Sequence, residues 1–113
     1  MLIRHDFHPL CNQHYSEMVE GGVVVRVLGI ASEAEIPVWR CTWQGCARHY
    51  DFNVGYHDLT PHGRIQGKRD SFYECKEHEV RLYLKSCHGP SSTEVWQCPT
   101  MNCPRVETAH VAA

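Results

Sequence analysis

The chain has 113 residues, 11 basic and 13 acidic side chains and a formal net charge of −2, which is a poor match to a phosphate backbone. The length allows one domain or two very small ones, and a half of about 50 residues cannot easily bury a self-sufficient apolar core. Seven cysteines and nine histidines are many for this length, and an odd cysteine count argues against a complete disulfide framework.

The start, Met1-Leu2-Ile3-Arg4-His5-Asp6, lacks the basic and apolar pattern of a signal peptide. The longest apolar run, Val23 to Val25, is far too short to span a membrane. The expected compartment is therefore the reducing cytoplasm, where cysteine and histidine spacing points to metal rather than to disulfides.

In chain order, the first feature is Cys11-x2-His14. A single helical turn can form over 14–20, and Gly21-Gly22 ends it. The β-branched run from Gly22 to Leu28 predicts a strand, the polar break 32–35 a hairpin, and Ile36 to Arg40 a second strand. Cys41-x4-Cys46 follows, and alternation of Tyr50, Phe52 and Val54 predicts a third strand. Residues 57–70 contain Pro61, Gly63 and Gly67 and read as a linker, with Arg64, Lys68 and Arg69 as a solvated basic group.

The pattern then recurs. Cys75-x2-His78 precedes a strand in which Val80, Leu82 and Leu84 alternate with Arg81, Tyr83 and Lys85. Cys87-His88 sits towards the hairpin break 88–92, and the strand Glu94–Gln97 leads into Cys98-x4-Cys103. Val38-Trp39-x-Cys41-x4-Cys46-x-Arg48 aligns without a gap on Val95-Trp96-x-Cys98-x4-Cys103-x-Arg105. The two ligand pairs are separated by 26 residues in the first half and 19 in the second, an insertion a surface hairpin absorbs at little cost.

Each short spacing needs a tight turn that aims two side chains at one ion, and two such turns supply the four N or S ligands of a tetrahedral zinc site. The expected ligands are Cys11, His14, Cys41 and Cys46 in the first half, and Cys75, His78, Cys98 and Cys103 in the second, with two Zn²⁺ per chain. Histidine at the same place in both sets has no role in a disulfide. A rival finger-like set, Cys41, Cys46, His57 and His62, shares only the Cys41–Cys46 turn, and Gly55 and Pro61 would break the helix it needs. Trp39 and Trp96 are expected to pack beside the turns, whereas Trp43 and Met101 lie within them, where a side chain tends to be exposed.

The pattern resembles a zinc ribbon, and the second half is similar to the C-terminal zinc ribbons of bacterial type I topoisomerases, with His in place of Cys at the second ligand. The resemblance implies a small, mostly β fold of two tandem, rubredoxin-like zinc β-ribbons related by internal duplication. The expected division is a first ribbon over 1–58, a linker over 59–70, a second ribbon over 71–108 and a tail over 109–113. Four protein ligands at each zinc leave no open position, so no catalysis is expected. A non-enzymatic adaptor with a protein partner is the first expectation. A nucleic-acid-binding module, as the resemblance implies, is the alternative.

Overall fold

The computed structural model describes residues 2–29, 32–60, 65–70, 73–88 and 93–110. Among these residues the fold is all strand and turn, with no helix, and no helix long and apolar enough to cross a membrane.

β1 (Val19–Gly29) and β2 (Ser32–Arg40) form the long first hairpin. The strand begins three residues before the expected Gly22, because Gly21-Gly22 does not end a turn. The pair sits at an irregularity of register between Glu20 and Val23. Gly22 has φ 108°, a left-handed conformation that glycine adopts at no steric cost, and the chain bulges there without leaving the sheet.

β3 (Arg48–Asp51) pairs with the end of β2, then with β4 (Gly55–Leu59), and β4 pairs with β5 (Ile65–Asp70), giving the order β1-β2-β3-β4-β5. The alternation of Tyr50, Phe52 and Val54 is thus a strand followed by a turn, not one strand. Asp51 makes the turn: its Oδ1 accepts from the amides of Asn53 at 2.9 Å and Val54 at 2.8 Å. The stretch 59–70, expected to be a linker, supplies the end of β4 and all of β5. Pro61, Gly63 and Gly67 read as breaks, yet β5 pairs antiparallel with β4, the strand just before it. Pro61, His62, Gly63 and Arg64 lie outside the described residues, as do the side chains of Lys68 and Arg69.

In the second half β6 (Glu74–Cys75) pairs with β7 (Val80–Arg81), and β8 (Tyr83–His88), β9 (Thr93–Gln97) and β10 (Val106–His110) form a sheet of order β10-β9-β8. The single strand expected from Val80 is interrupted at Leu82, which is buried. Val80 closes the turn opposite Cys75, and the chain then changes partner so that Tyr83 faces Gln97. The hairpin tip, 89–92, lies outside the described residues.

The two halves share one core. Tyr50, Tyr56 and Met18 of the first half cluster with Leu82, Tyr83, Leu84 and Trp96 of the second. Tyr50 and Tyr56 each have a backbone hydrogen bond to the second half, in keeping with the need of a buried hydroxyl for a partner. Tyr50 Oη donates to Arg81 O at 2.6 Å; Tyr56 Oη donates to Leu10 O at 2.7 Å and accepts from Leu84 N at 2.9 Å. The segment before Cys11 is part of this core. Phe7 packs edge-on against Trp39 and Tyr83, with ring centroids 4.8 and 4.7 Å apart, and Leu10 N donates to Leu84 O at 2.9 Å.

Candidate metal centres

The first centre is assembled by two turns. Cys11 N donates to Ser16 O at 2.9 Å and Tyr15 N to Cys11 O at 2.8 Å, with Tyr15 at φ 54°. In the second turn Cys41 N donates to Arg48 O at 3.0 Å and Cys46 N to Trp43 O at 3.1 Å, with Gly45 at φ 80°. These turns bring Cys11, His14, Cys41 and Cys46 together, their donor atoms all within 4.8 Å of one another. His14 Nδ1 stands 3.8 Å from Cys11 Sγ and 3.7 Å from Cys41 Sγ.

The second centre has the same build. Glu79 stands where Tyr15 does, four residues after the first cysteine, and shares its φ of 54°; Asn102, just before Cys103, has φ 63° where Gly45 has 80°. Cys98 N donates to Arg105 O at 3.1 Å and Cys103 N to Thr100 O at 3.2 Å. Cys75, His78, Cys98 and Cys103 have donor atoms within 4.8 Å of one another. His78 Nδ1 lies 3.4 Å from Cys75 Sγ and 3.8 Å from Cys98 Sγ, and Cys75 Sγ lies 3.8 Å from Cys103 Sγ.

These distances test whether an ion fits. Donors about 2.0–2.3 Å from a central ion at tetrahedral angles stand roughly 3.3–3.8 Å apart. The five separations given above, 3.4 to 3.8 Å, match that edge length. They are far beyond a sulfur–sulfur bond of about 2.05 Å, and all seven cysteines are free thiols.

The thiols differ in charge preference. Burial pushes Cys11 up to about 12 and Cys98 up to about 11, and it also raises Cys46. At Cys41 burial acts in the same direction, but hydrogen bonds from the Ser16 hydroxyl, the Trp43 amide and His14 outweigh it and bring the thiol down to about 6. At Cys75 burial is likewise outweighed, chiefly by His78, giving about 7. Three crowded thiols cannot all ionise without a cation among them, and a divalent ion held there would supply the missing charge.

The surroundings separate the remaining candidates. Trp39 and Trp96 pack as expected: Trp39 against Phe7 and Phe52, Trp96 buried against Tyr56 and Tyr73. Trp43 is 56% exposed and lies flat on the His14 ring, centroids 4.6 Å apart and planes 5° apart. Met101 is half-buried. His57 of the rival set is fully buried away from the first cluster, with Nδ1 2.8 Å from Gly55 O and Nε2 3.5 Å from Asp51 Oδ2. It is not the surface histidine that its position in a linker implies. His62 lies outside the described residues, and Cys87 is half-buried and belongs to neither cluster.

Arg4 is the residue near a centre that spacing does not reveal. Its backbone N donates to Pro99 O at 2.9 Å, Ile3 bridges to Thr100, and Met101 N donates to Leu2 O at 2.9 Å. Its guanidinium donates to the carbonyls of Cys103 at 3.0 Å and Cys98 at 3.4 Å. The Gln97 amide, oriented by its network, accepts from Arg4 at 3.0 and 3.2 Å and donates to Tyr83 Oη at 3.0 Å. The segment 2–4 thus closes over the second turn, and no local motif marks it.

Compared with known protein families, characterised proteins and solved structures, the chain gives no match.

Proposed function

We propose that this chain is a non-enzymatic protein in which two structural zinc ions hold a small β fold that presents its surface to a protein partner. The observation that carries the reading is that all eight spaced ligands fall into two groups of one imidazole and three thiols, the donor atoms of each group within 4.8 Å of one another. That donor set suits zinc, a borderline-soft ion without a redox cycle, better than the oxygen-loving divalent ions. Four protein donors leave no position for a substrate or an activated water. The matching turns support an origin by duplication of one ribbon, and the free thiols suit a reducing cytoplasm.

The exposed Trp43, held flat by His14, is a rigid aromatic of the kind that anchors protein partners. Two anionic zinc sites would take the formal charge from −2 to about −4, which works against a phosphate backbone. Nucleic-acid binding is the alternative, since an exposed aromatic also stacks on bases. A mobility assay of the zinc-loaded protein with single- and double-stranded DNA and RNA over a salt series separates the two. No salt-dependent shift is expected. A shift that weakens with salt and is lost with Trp43→Ala would replace the protein-partner reading.

A further inference from the structure

The outer edge of β10 is open. In its sheet β10 pairs with β9 alone, and among the described residues nothing pairs with its other side. The equivalent strand of the first half is not an edge. Cys41 N donates to Arg48 O as Cys98 N does to Arg105 O, and Trp39 faces Tyr50 as Trp96 faces Glu107. Arg105 therefore occupies the place of Arg48, Val106 that of His49 and Pro104 that of Ala47. On β3 that outer edge is covered by β4. Burial follows: three of the four β3 positions are buried, whereas no β10 position is, and Val106 is 44% exposed.

The backbone of β10 is disposed to take another strand. Because Arg105 O turns toward β9, the alternation of an antiparallel ladder turns the amide and carbonyl groups of Val106, Thr108 and His110 outward. An unpaired row of this kind is a template for strand addition. Beside it lies a groove of about 620 Å³, lined by residues 74–77 of β6 and the turn after it and by Pro104, Arg105 and Val106.

We propose that this edge receives an extended segment of a partner protein as an antiparallel fourth strand, with an acidic residue opposite Arg105 and an aliphatic residue directly after it. The proposal rests on the protein-partner reading above and places the contact on β10. The protein carries its own template for the occupant. On the covered side, Asp58 lies opposite Arg48 with Oδ1 3.1 Å from Nε. The next residue, Leu59, is 8% exposed and donates its N–H to Ala47 O at 3.2 Å. Pro104 keeps the carbonyl that this bond requires, so its missing N–H does not prevent it. Arg105 is half-exposed and pairs within its own strand to Glu107 at 2.7 Å, from which an incoming carboxylate can take it.

The test uses the zinc-loaded full chain and a labelled synthetic peptide of residues 53–60, which carries the β4 sequence. Saturable binding is expected by fluorescence anisotropy, with amide shifts concentrated at residues 74–77 and 103–110. Val106→Pro removes an outward N–H and leaves the β9 ladder intact, as proline does on an edge. It is expected to weaken binding at least about tenfold while both metal ions stay bound. If Val106→Pro fails to fold, Arg105→Glu serves instead: it is expected to cost about tenfold, and an Asp58→Lys peptide to restore the loss. Absence of binding, shifts mapping elsewhere, or binding indifferent to both variants would overturn the proposal. So would a concentration-dependent dimer abolished by Val106→Pro, which would make a second copy the occupant. None of these results bears on metal content or on Trp43, so the broader reading fails only by its own tests.

Discussion

The guanidinium of Arg4 donates to the carbonyl oxygen of Cys103 at 3.0 Å across 99 residues of sequence. The second turn of the second candidate centre is thus completed by a residue far away in the sequence. A turn of six residues has more carbonyls than its own amides can satisfy, and a fork of N–H donors meets two of them together.

Replacing Arg4 with Ala is expected to lower stability by about 1–2 kcal/mol, since the side chain is partly exposed and its bonds are charge-assisted. The effect should be local. Chelator competition is expected to release metal from the second centre sooner than in the parent protein, with the first centre little changed. Equal release from both centres would mean that Arg4 acts on the whole core and not on the turn.

Purified protein is expected to contain close to two zinc ions per chain by elemental analysis. Cys98→Ser should bring this close to one and unfold residues 75–106, because structural zinc supplies roughly 10–16 kcal/mol of apparent binding free energy. Loss of amide dispersion should extend to Tyr50 and Tyr56, whose hydroxyls bond to the second half. A content near one in the parent protein would eliminate the two-centre reading.

His14→Ala and His57→Ala should separate metal retention from folding. His14→Ala removes a ligand and the surface on which Trp43 lies, so zinc retention against EDTA should fall and Trp43 fluorescence should change. His57→Ala should keep two zinc ions but lower stability by about 2–3 kcal/mol, because it leaves a cavity and strips a polar neighbour from the buried Asp51. The reverse order, zinc lost from His57→Ala alone, would restore the finger-like ligand set.

Metal loading is expected to release protons. At pH 7 Cys11 and Cys98, with thiols at about 12 and 11, are protonated before the ion arrives, whereas Cys41, at about 6, is largely ionised. The ion must displace the bound protons, so affinity rises with pH and acidification expels the metal. The sign for the metal-free fold differs by site: the depressed Cys41 contributes stability above the ordinary thiol value of 9.0 that is lost as pH falls through about 6. The raised Cys11 contributes stability below 9.0 that is lost as pH rises through about 12. Isothermal titration with zinc in buffers of different ionisation enthalpy reads the proton count, and a count of zero would contradict thiolate ligation.

Cys11-x2-His14 and Cys41-x4-Cys46, with their counterparts at 75–78 and 98–103, were legible from spacing alone, because a metal turn is local and its geometry is set within a few residues. The mostly β character was legible too, since β-branched runs and period-two alternation are also local. Strand limits were less so. Gly21-Gly22 reads as a stop but is a bulge, and Phe52 and Val54 read as strand but belong to a turn held by the Asp51 carboxylate.

Tertiary structure alone decided how the halves meet. Nothing in the local pattern distinguishes a linker histidine from His57, buried against Asp51, or an N-terminal arginine from Arg4 on the second turn. Those positions depend on hydrogen bonds between residues far apart in the chain, where a carbonyl or carboxylate excluded from water takes whichever donor the packing brings to it. The open edge of β10 is of the same kind: no strand is read from the sequence over 106–110, and only the presence of β4 beside β3, and the absence of a counterpart beside β10 among the described residues, shows the difference. Local spacing therefore determined which side chains can meet a metal, and long-range packing determined what surface the two centres support.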